Sequence, residues 1–363
     1  MSSRVPVMLG VLSIALAMLA PAAVAQQGGT DIPRTADGRP DLSGTYDIAT
    51  LTPLQRPVDL GDKLVLTEEE AAALAAGAGS LERIFNIPDE RNVESGPPRE
   101  APPVGGDGSS GAAGNVGGYN SFWMDRGSAG FQIDGQWRTS IITDPPNGRQ
   151  PPSTPEAQAQ RASLLAFYRP NTGTAWWLED DLNAPGPYDN PERRPHSERC
   201  LLGFGSTAGP PMLPVLYNNL KRIVQTEETV MVQVEMVHEA RIIRMNQEHA
   251  PPEIRSWLGD SVGHWEGDTL VVDTTNFRDT PALGQASRNL HVVERFTRID
   301  VETLLYQFTV DDPTVWTAPW SGEYVWPASE NKVYEYACHE ANYSFGGILR
   351  GARLLEADAR EAR

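Results

Sequence analysis

Basic residues are in short supply: 30 Lys and Arg stand against 48 Asp and Glu, for a formal net charge of −18. No basic run or patch interrupts that acidity, so nucleic-acid phosphates would be repelled and nucleic acid is excluded as a partner. Long apolar runs are missing after residue 25, so no membrane association is expected once the first segment is removed. Cysteine is nearly absent, with only Cys200 and Cys338, and none stands directly after position 25 to carry a lipid anchor.

Familiar catalytic motifs are also missing. His238-Glu239 and His339-Glu340 each begin like a zinc-protease helix, but Ile242 and Tyr343 stand where the second histidine belongs. Gly203-Phe204-Gly205-Ser206-Thr207-Ala208 fits a relaxed dinucleotide fingerprint, yet no strand precedes it and no helix follows. Neither a Gly-x-Ser-x-Gly elbow nor a phosphate loop occurs. His238, His291 and His339 lack a metal-ligand spacing, so no metal and no cofactor is expected.

The chain opens with Arg4 and an apolar run from Val5 to Leu19, ending in Ala23-Val24-Ala25. This reads as a secretory signal peptide over residues 1–25, cleaved after Ala25 and delivering the chain to the periplasm or the exterior. Its loss removes Arg4 and takes the charge from −18 to −19. An oxidising compartment makes a Cys200–Cys338 disulfide the simplest use of two cysteines, worth about 4–5 kcal/mol in the chain-entropy model. The competing reading is a reactive thiol at Cys338, beside His339 and Glu340.

Residues 26–118 form a polar arm with one short helix and a Gly/Pro-rich loop over 96–118. Thr67 and Glu70 make a capping box for that helix. Strands are expected at 119–123 and 137–142, and a helix over 155–168. From Leu216 the apolar pattern has period two, with strands at 229–237, 240–245, 262–266, 269–277, 290–299, 303–310, 324–326 and 333–338. Gly267-Asp268 suits a tight hairpin. Short turns between successive strands predict a mostly β antiparallel meander over 119–347. It would close into a lipocalin-like barrel, with a β-sandwich as the alternative, and a surface helix over 348–363.

Several stretches resemble a family of exported bacterial proteins: Asp37-Gly38-Arg39-Pro40-Asp41-Leu42-Ser43-Gly44, Asp144-Pro145-Pro146-Asn147-Gly148-Arg149, Glu198-Arg199-Cys200, Trp257-Leu258-Gly259-Asp260-Ser261, the run from Trp265-Glu266-Gly267-Asp268 through Val272, and Tyr334-Glu335-Tyr336-Ala337-Cys338-His339-Glu340. The resemblance spans most of the chain after residue 25. It implies export and carries over no activity.

Polar residues on otherwise apolar strands are the remaining chemical signal. The catalytic candidates are His291, His339, Glu340, His238 and Glu239, because imidazole titrates near neutrality and a carboxylate can orient it. Arg241 and Asn276 would polarise a substrate oxygen, while Trp257, Tyr343 and Trp123 would pack on a ring. The leading expectation is a periplasmic lyase, isomerase or hydrolase acting on a small aromatic or sugar-like substrate without metal. The alternative is a carrier of an apolar or aromatic small molecule, and a third is an envelope interaction protein. Converging polar groups in a pocket would favour the enzyme, an apolar cavity the carrier, and a filled core the interaction protein.

Overall fold

The computed structural model describes residues 32–76, 127–166, 173–207 and 209–362. The leader, the glycine-rich loop at 96–118 and the strand expected at 119–123 lie outside these residues.

Alternation decides what faces inward. Along β11 (His291–Arg298), β12 (Thr303–Asp311) and β13 (Trp320–Pro327) every second side chain is buried through nearly the whole strand, as a period of two requires when one sheet face meets the core. The inward set includes Phe296, Tyr306, Phe308, Tyr324 and Trp326. Ring centroids lie 5.0 Å apart for Phe296–Tyr306, 4.8 Å for Tyr306–Trp326 and 5.5 Å for Tyr306–Tyr324. Each such pair adds about 0.5–1.5 kcal/mol beyond area burial.

These strands belong to a ten-stranded sheet. It also contains β1 (Gly44–Asp47), β5 (Ile142–Asp144), β6 (Leu220–Gln225), β7 (Thr229–Val234), β8 (Ala240–Met245), β9 (Asp260–Glu266) and β10 (Thr269–Thr275). The order is β1-β6-β7-β8-β9-β10-β11-β12-β13-β5. From β6 to β13 neighbours in space are neighbours in sequence, the meander that the short turns predict. The Gly267-Asp268 connection is a two-residue hairpin with Gly267 at φ +60°. One junction breaks the antiparallel pattern: β8 and β9 are parallel, so residues 246–259 form a crossover instead of a hairpin.

The sheet curls into a half-barrel. β1 and the residues after β13 meet at an isolated Tyr46–Ala328 bridge, supported by Ser329 N–H donating to Thr45 O at 2.8 Å. The concave face is packed with side chains, so it is core and not an open lumen. A small second sheet pairs β2 (Val65–Leu66), β4 (Gln136–Arg138) and β3 (Gln132–Ile133).

Several local expectations hold. Helix α1 (68–76) opens on the capping box, with Glu70 N–H donating to Thr67 Oγ1 at 3.2 Å and Thr67 N–H to Glu70 Oε2 at 2.8 Å. Helix α2 is Pro155–Ala166. Cys200 and Cys338 are disulfide-bonded with Cα atoms 5.6 Å apart, which removes the reactive-thiol reading.

Three expectations change. The single strand at 137–142 is two, β4 in the small sheet and β5 in the large one, because Thr139 Oγ1 donates to Lys63 O at 2.7 Å where the chain passes between sheets. Residues 333–337 form no ladder: β12 and β5 already occupy both edges of β13. Cys338 instead starts a helical turn, α3 (Cys338–Ala341), and α4 (Tyr343–Glu361) begins five residues before the expected 348. Gly346 and Gly347, poor helix formers, concealed that start.

Candidate functional site

The polar residues singled out in the sequence do not converge. Arg241 points into the filled concave face, 2 % exposed, with both guanidinium arms on Glu294, which is fully buried. Its Nε donates to Ser261 Oγ at 3.0 Å, and Tyr306 Oη donates to Glu294 Oε1 at 2.8 Å. Arg241 is thus committed to an internal ion pair and does not line a mouth where a substrate oxygen could reach it.

His291, at the start of β11, lies on the convex face. Neither Glu340 nor Glu239 orients it: Asp273 of β10 does, with His291 Nε2 2.9 Å from Asp273 Oδ2. Asp273 Oδ1 lies 3.0 Å from Nε2 of His249, whose Nδ1 is 2.9 Å from Asp260 Oδ2. Arg244 donates to both oxygens of Asp260 at 2.8 and 2.9 Å. The result is a chain in which ring or guanidinium nitrogens alternate with carboxylates, His291–Asp273–His249–Asp260–Arg244, pinning the crossover 246–259 to the sheet. Sequence reasoning missed His249 and Asp273; an acidic residue directly after the apolar run Leu270–Val272, within an expected strand, was the available signal.

This array sets a pH window. The hydrogen bond from Asp273 raises the His291 pKa above its ordinary 6.5, and the bond from His291 lowers Asp273 below 3.8. The His291 contribution to stability is therefore complete below about 6.5 and is lost as pH rises through the raised value. The Asp273 contribution is complete above about 3.8 and is lost as pH falls through the lowered one. Because the side chains are 42 % and 36 % exposed, we expect the pair to contribute at most about 1 kcal/mol. Urea unfolding of His291→Gln should trail the parent at pH 5.5 and approach it at pH 8.5; a constant gap would show that titration of His291 is not the source.

The other candidates are scattered. His238 closes a 3-10 turn (Met236–His238), with Nδ1 3.1 Å from Tyr336 O. Burial raises the pKa of the adjacent Glu239. His339 and Glu340 are exposed on α3, and Tyr343 is 86 % exposed. Asn276 donates through Nδ2 to Ala250 O at 2.9 Å, holding the crossover. Trp257 lies between the His196 ring at 5.1 Å and the Arg278 guanidinium at 5.0 Å, a loop position as expected but already stacked. Trp123 lies outside the described residues. Among the described residues, no group of three or more His, Cys, Asp or Glu side chains is placed to hold a metal ion.

A cleft of about 850 Å³ lies elsewhere, between the segment 50–55, the loops 204–206 and 213–217, Met236 and residues 283–285. Leu51, Leu54, Leu213, Val215, Met236 and Leu283 supply its apolar walls. Phe204 and Leu216 stand half exposed among its lining, and Phe204 meets the Tyr217 ring edge-on at 6.3 Å. Polar lining comes from Thr50, Thr52, Gln55, Gln150, Ser206 and Gln285. Nothing in the sequence pattern marked this site, because its walls are assembled from turn-rich segments without periodicity.

The chain matches no family model, no curated protein and no solved structure.

Beside Ser206, the fully buried Thr207 accepts a 2.8 Å hydrogen bond from Lys221 Nζ, also fully buried. Desolvation pulls the Lys221 pKa down to about 7, against the opposing pull of Glu235 and Asp47. With no exposed surface, this pair belongs to the packing behind the cleft and does not reach into it.

Proposed function

We propose that this protein is an exported, small-molecule-binding protein of the bacterial envelope that holds an apolar or aromatic ligand in the lateral cleft. The observation that carries this reading is the cleft itself: its volume falls in the range of small-molecule sites, and its walls are mainly aliphatic and aromatic. The signal-peptide pattern and the disulfide support export. In this reading the lipocalin-like curl of the sheet serves as a rigid scaffold, and ligand is held beside the sheet by loops packed on it.

Titration with the neutral fluorophore N-phenyl-1-naphthylamine tests the proposal. Saturable binding at one site is expected, and Leu216→Glu should weaken it at least tenfold, because a carboxylate would then face apolar walls. Non-saturable fluorescence, or equal affinity in the variant, would refute binding in this cleft.

A second reading is metal-independent acid/base catalysis at His291, favoured by the carboxylate that orients its ring. It requires substrate to dock on the convex face. It predicts consumption of a small ring-containing compound with loss of turnover in His291→Ala, whereas the carrier reading predicts that bound compound is recovered unchanged.

A further inference from the structure

We infer that the lateral cleft selects uncharged ligands that carry a hydrogen-bond-accepting oxygen, an inference that rests on the cleft being a binding site. The first observation is a missing charge. Across the whole chain 21 % of residues are Asp, Glu, Lys or Arg, so the nineteen that line the cleft would include about four at the average frequency. They include none, and no histidine either. An ionised carboxylate or ammonium entering this space would lose hydration without gaining a counter-charge, and the penalty is several-fold larger than for a neutral polar group. The surrounding acidity of the protein disfavours anions further.

The second observation concerns which polar groups remain available. Ser206 Oγ is spent on backbone oxygens, donating to Pro211 O at 2.7 Å. Thr52 Oγ1 accepts from Phe131 N–H at 3.2 Å. Gln55 Oε1 accepts from Gln150 N–H at 3.1 Å, and its amide nitrogen reaches Gln150 Oε1 only at 3.4 Å. Gln285 Oε1 accepts from Arg161 at 2.8 Å. The Gln150 carboxamide nitrogen has no partner among the described residues, and it is half-buried in the cleft wall. A neutral donor without a protein partner, lining a largely apolar cleft, fits a ligand oxygen that accepts: a carbonyl, an ester or an ether on a ring system. Gln285 holds its own backbone at φ +75°, a conformation uncommon for a side-chain-bearing residue, and Arg161 fixes its carboxamide at the same cleft.

Competition against bound N-phenyl-1-naphthylamine at pH 7.5 separates the possibilities, using methyl 2-naphthoate, 2-naphthoate and 2-methylnaphthalene. The ester should displace the fluorophore at least tenfold more effectively than the carboxylate. Gln150→Leu should weaken the ester about three- to tenfold and leave the hydrocarbon unchanged. Equal or better displacement by 2-naphthoate would overturn the charge selection while leaving the cleft as a binding site. Ester affinity unchanged in Gln150→Leu would overturn the role of the carboxamide. If the fluorophore itself fails to bind, as when a segment of the chain already fills the cleft, both this inference and the binding reading fall together.

Discussion

Glu294→Ala is expected to destabilise the folded chain by about 3–5 kcal/mol, the cost of leaving a buried cation without its anion. Arg241 is 2 % exposed and sits inside the half-barrel, where water cannot replace the carboxylate without opening the aromatic layer of Phe296, Tyr306 and Trp326. Five neighbouring strands contribute to the network: Arg241 from β8, Ser261 from β9, Thr274 from β10, Glu294 from β11 and Tyr306 from β12. Its position gives it a second task. β8 and β9 form the parallel junction, whose three paired positions leave register weakly specified by hydrogen bonding alone. A one-residue slip there would turn Arg241 outward and leave Glu294 facing an apolar core. Glu294→Gln, which keeps the acceptor and loses the charge, should cost about 1–3 kcal/mol. Arg241→Met combined with Glu294→Leu should cost less than Glu294→Ala alone, because no charge is left unpaired. Urea unfolding followed by tryptophan fluorescence measures all three. A cost under about 1 kcal/mol for Glu294→Ala would mean that the guanidinium finds water or another partner, and the network would then not fix register.

The same network shows what the sequence could and could not disclose. Period-two burial was legible from β7 through β12, as were both hairpins there, because each strand meets its sequence neighbour. The strands that went astray depend on distant segments. β5 and β4 are adjacent in sequence but serve different sheets, and the stretch 333–337 adds no strand beside β13 because β5, nearly two hundred residues earlier, occupies that edge. Site residues follow the same rule. The pattern identified His291 as a polar group on an apolar strand, yet its partners lie 18 residues away for Asp273 and, through Asp273, on the crossover for His249. In the sequence His339 and Glu340 directly follow the strand expected at 333–338; they lie exposed on α3, outside the sheet. The cleft was the least legible feature. Its walls come from six separate segments, and proximity among turns leaves no periodic trace.

Reduction of the Cys200–Cys338 disulfide, or Cys200→Ser, is expected to remove up to about 5 kcal/mol of stability, given a sequence separation of 138 residues. The size of the measured loss depends on what unfolds. Cys200 lies in the irregular segment 173–207, and Cys338 begins the C-terminal helical pair, so the bond joins two elements that are both peripheral to the sheet. Other bonds join the same two elements. Asn342 Nδ2 donates to Glu198 O at 2.8 Å, Trp177 Nε1 to the buried Glu356 at 3.0 Å, and Arg353 to Asp189 at 2.7 Å. If these suffice to keep α4 docked, reduction should leave one cooperative transition, shifted to lower urea by the full amount. If they do not, α4 and the segment it covers will detach first, so that limited proteolysis cuts near residues 330–337 and 180–200 while the aromatic core of β11–β13 keeps its fluorescence. Ligand binding then distinguishes the consequences. The cleft is built on residues 204–206, which follow Cys200 directly, so local detachment should weaken N-phenyl-1-naphthylamine binding in urea too dilute to unfold the sheet. An unchanged urea midpoint together with unchanged binding would show that the hydrogen bonds alone hold the junction and that the disulfide adds little to it.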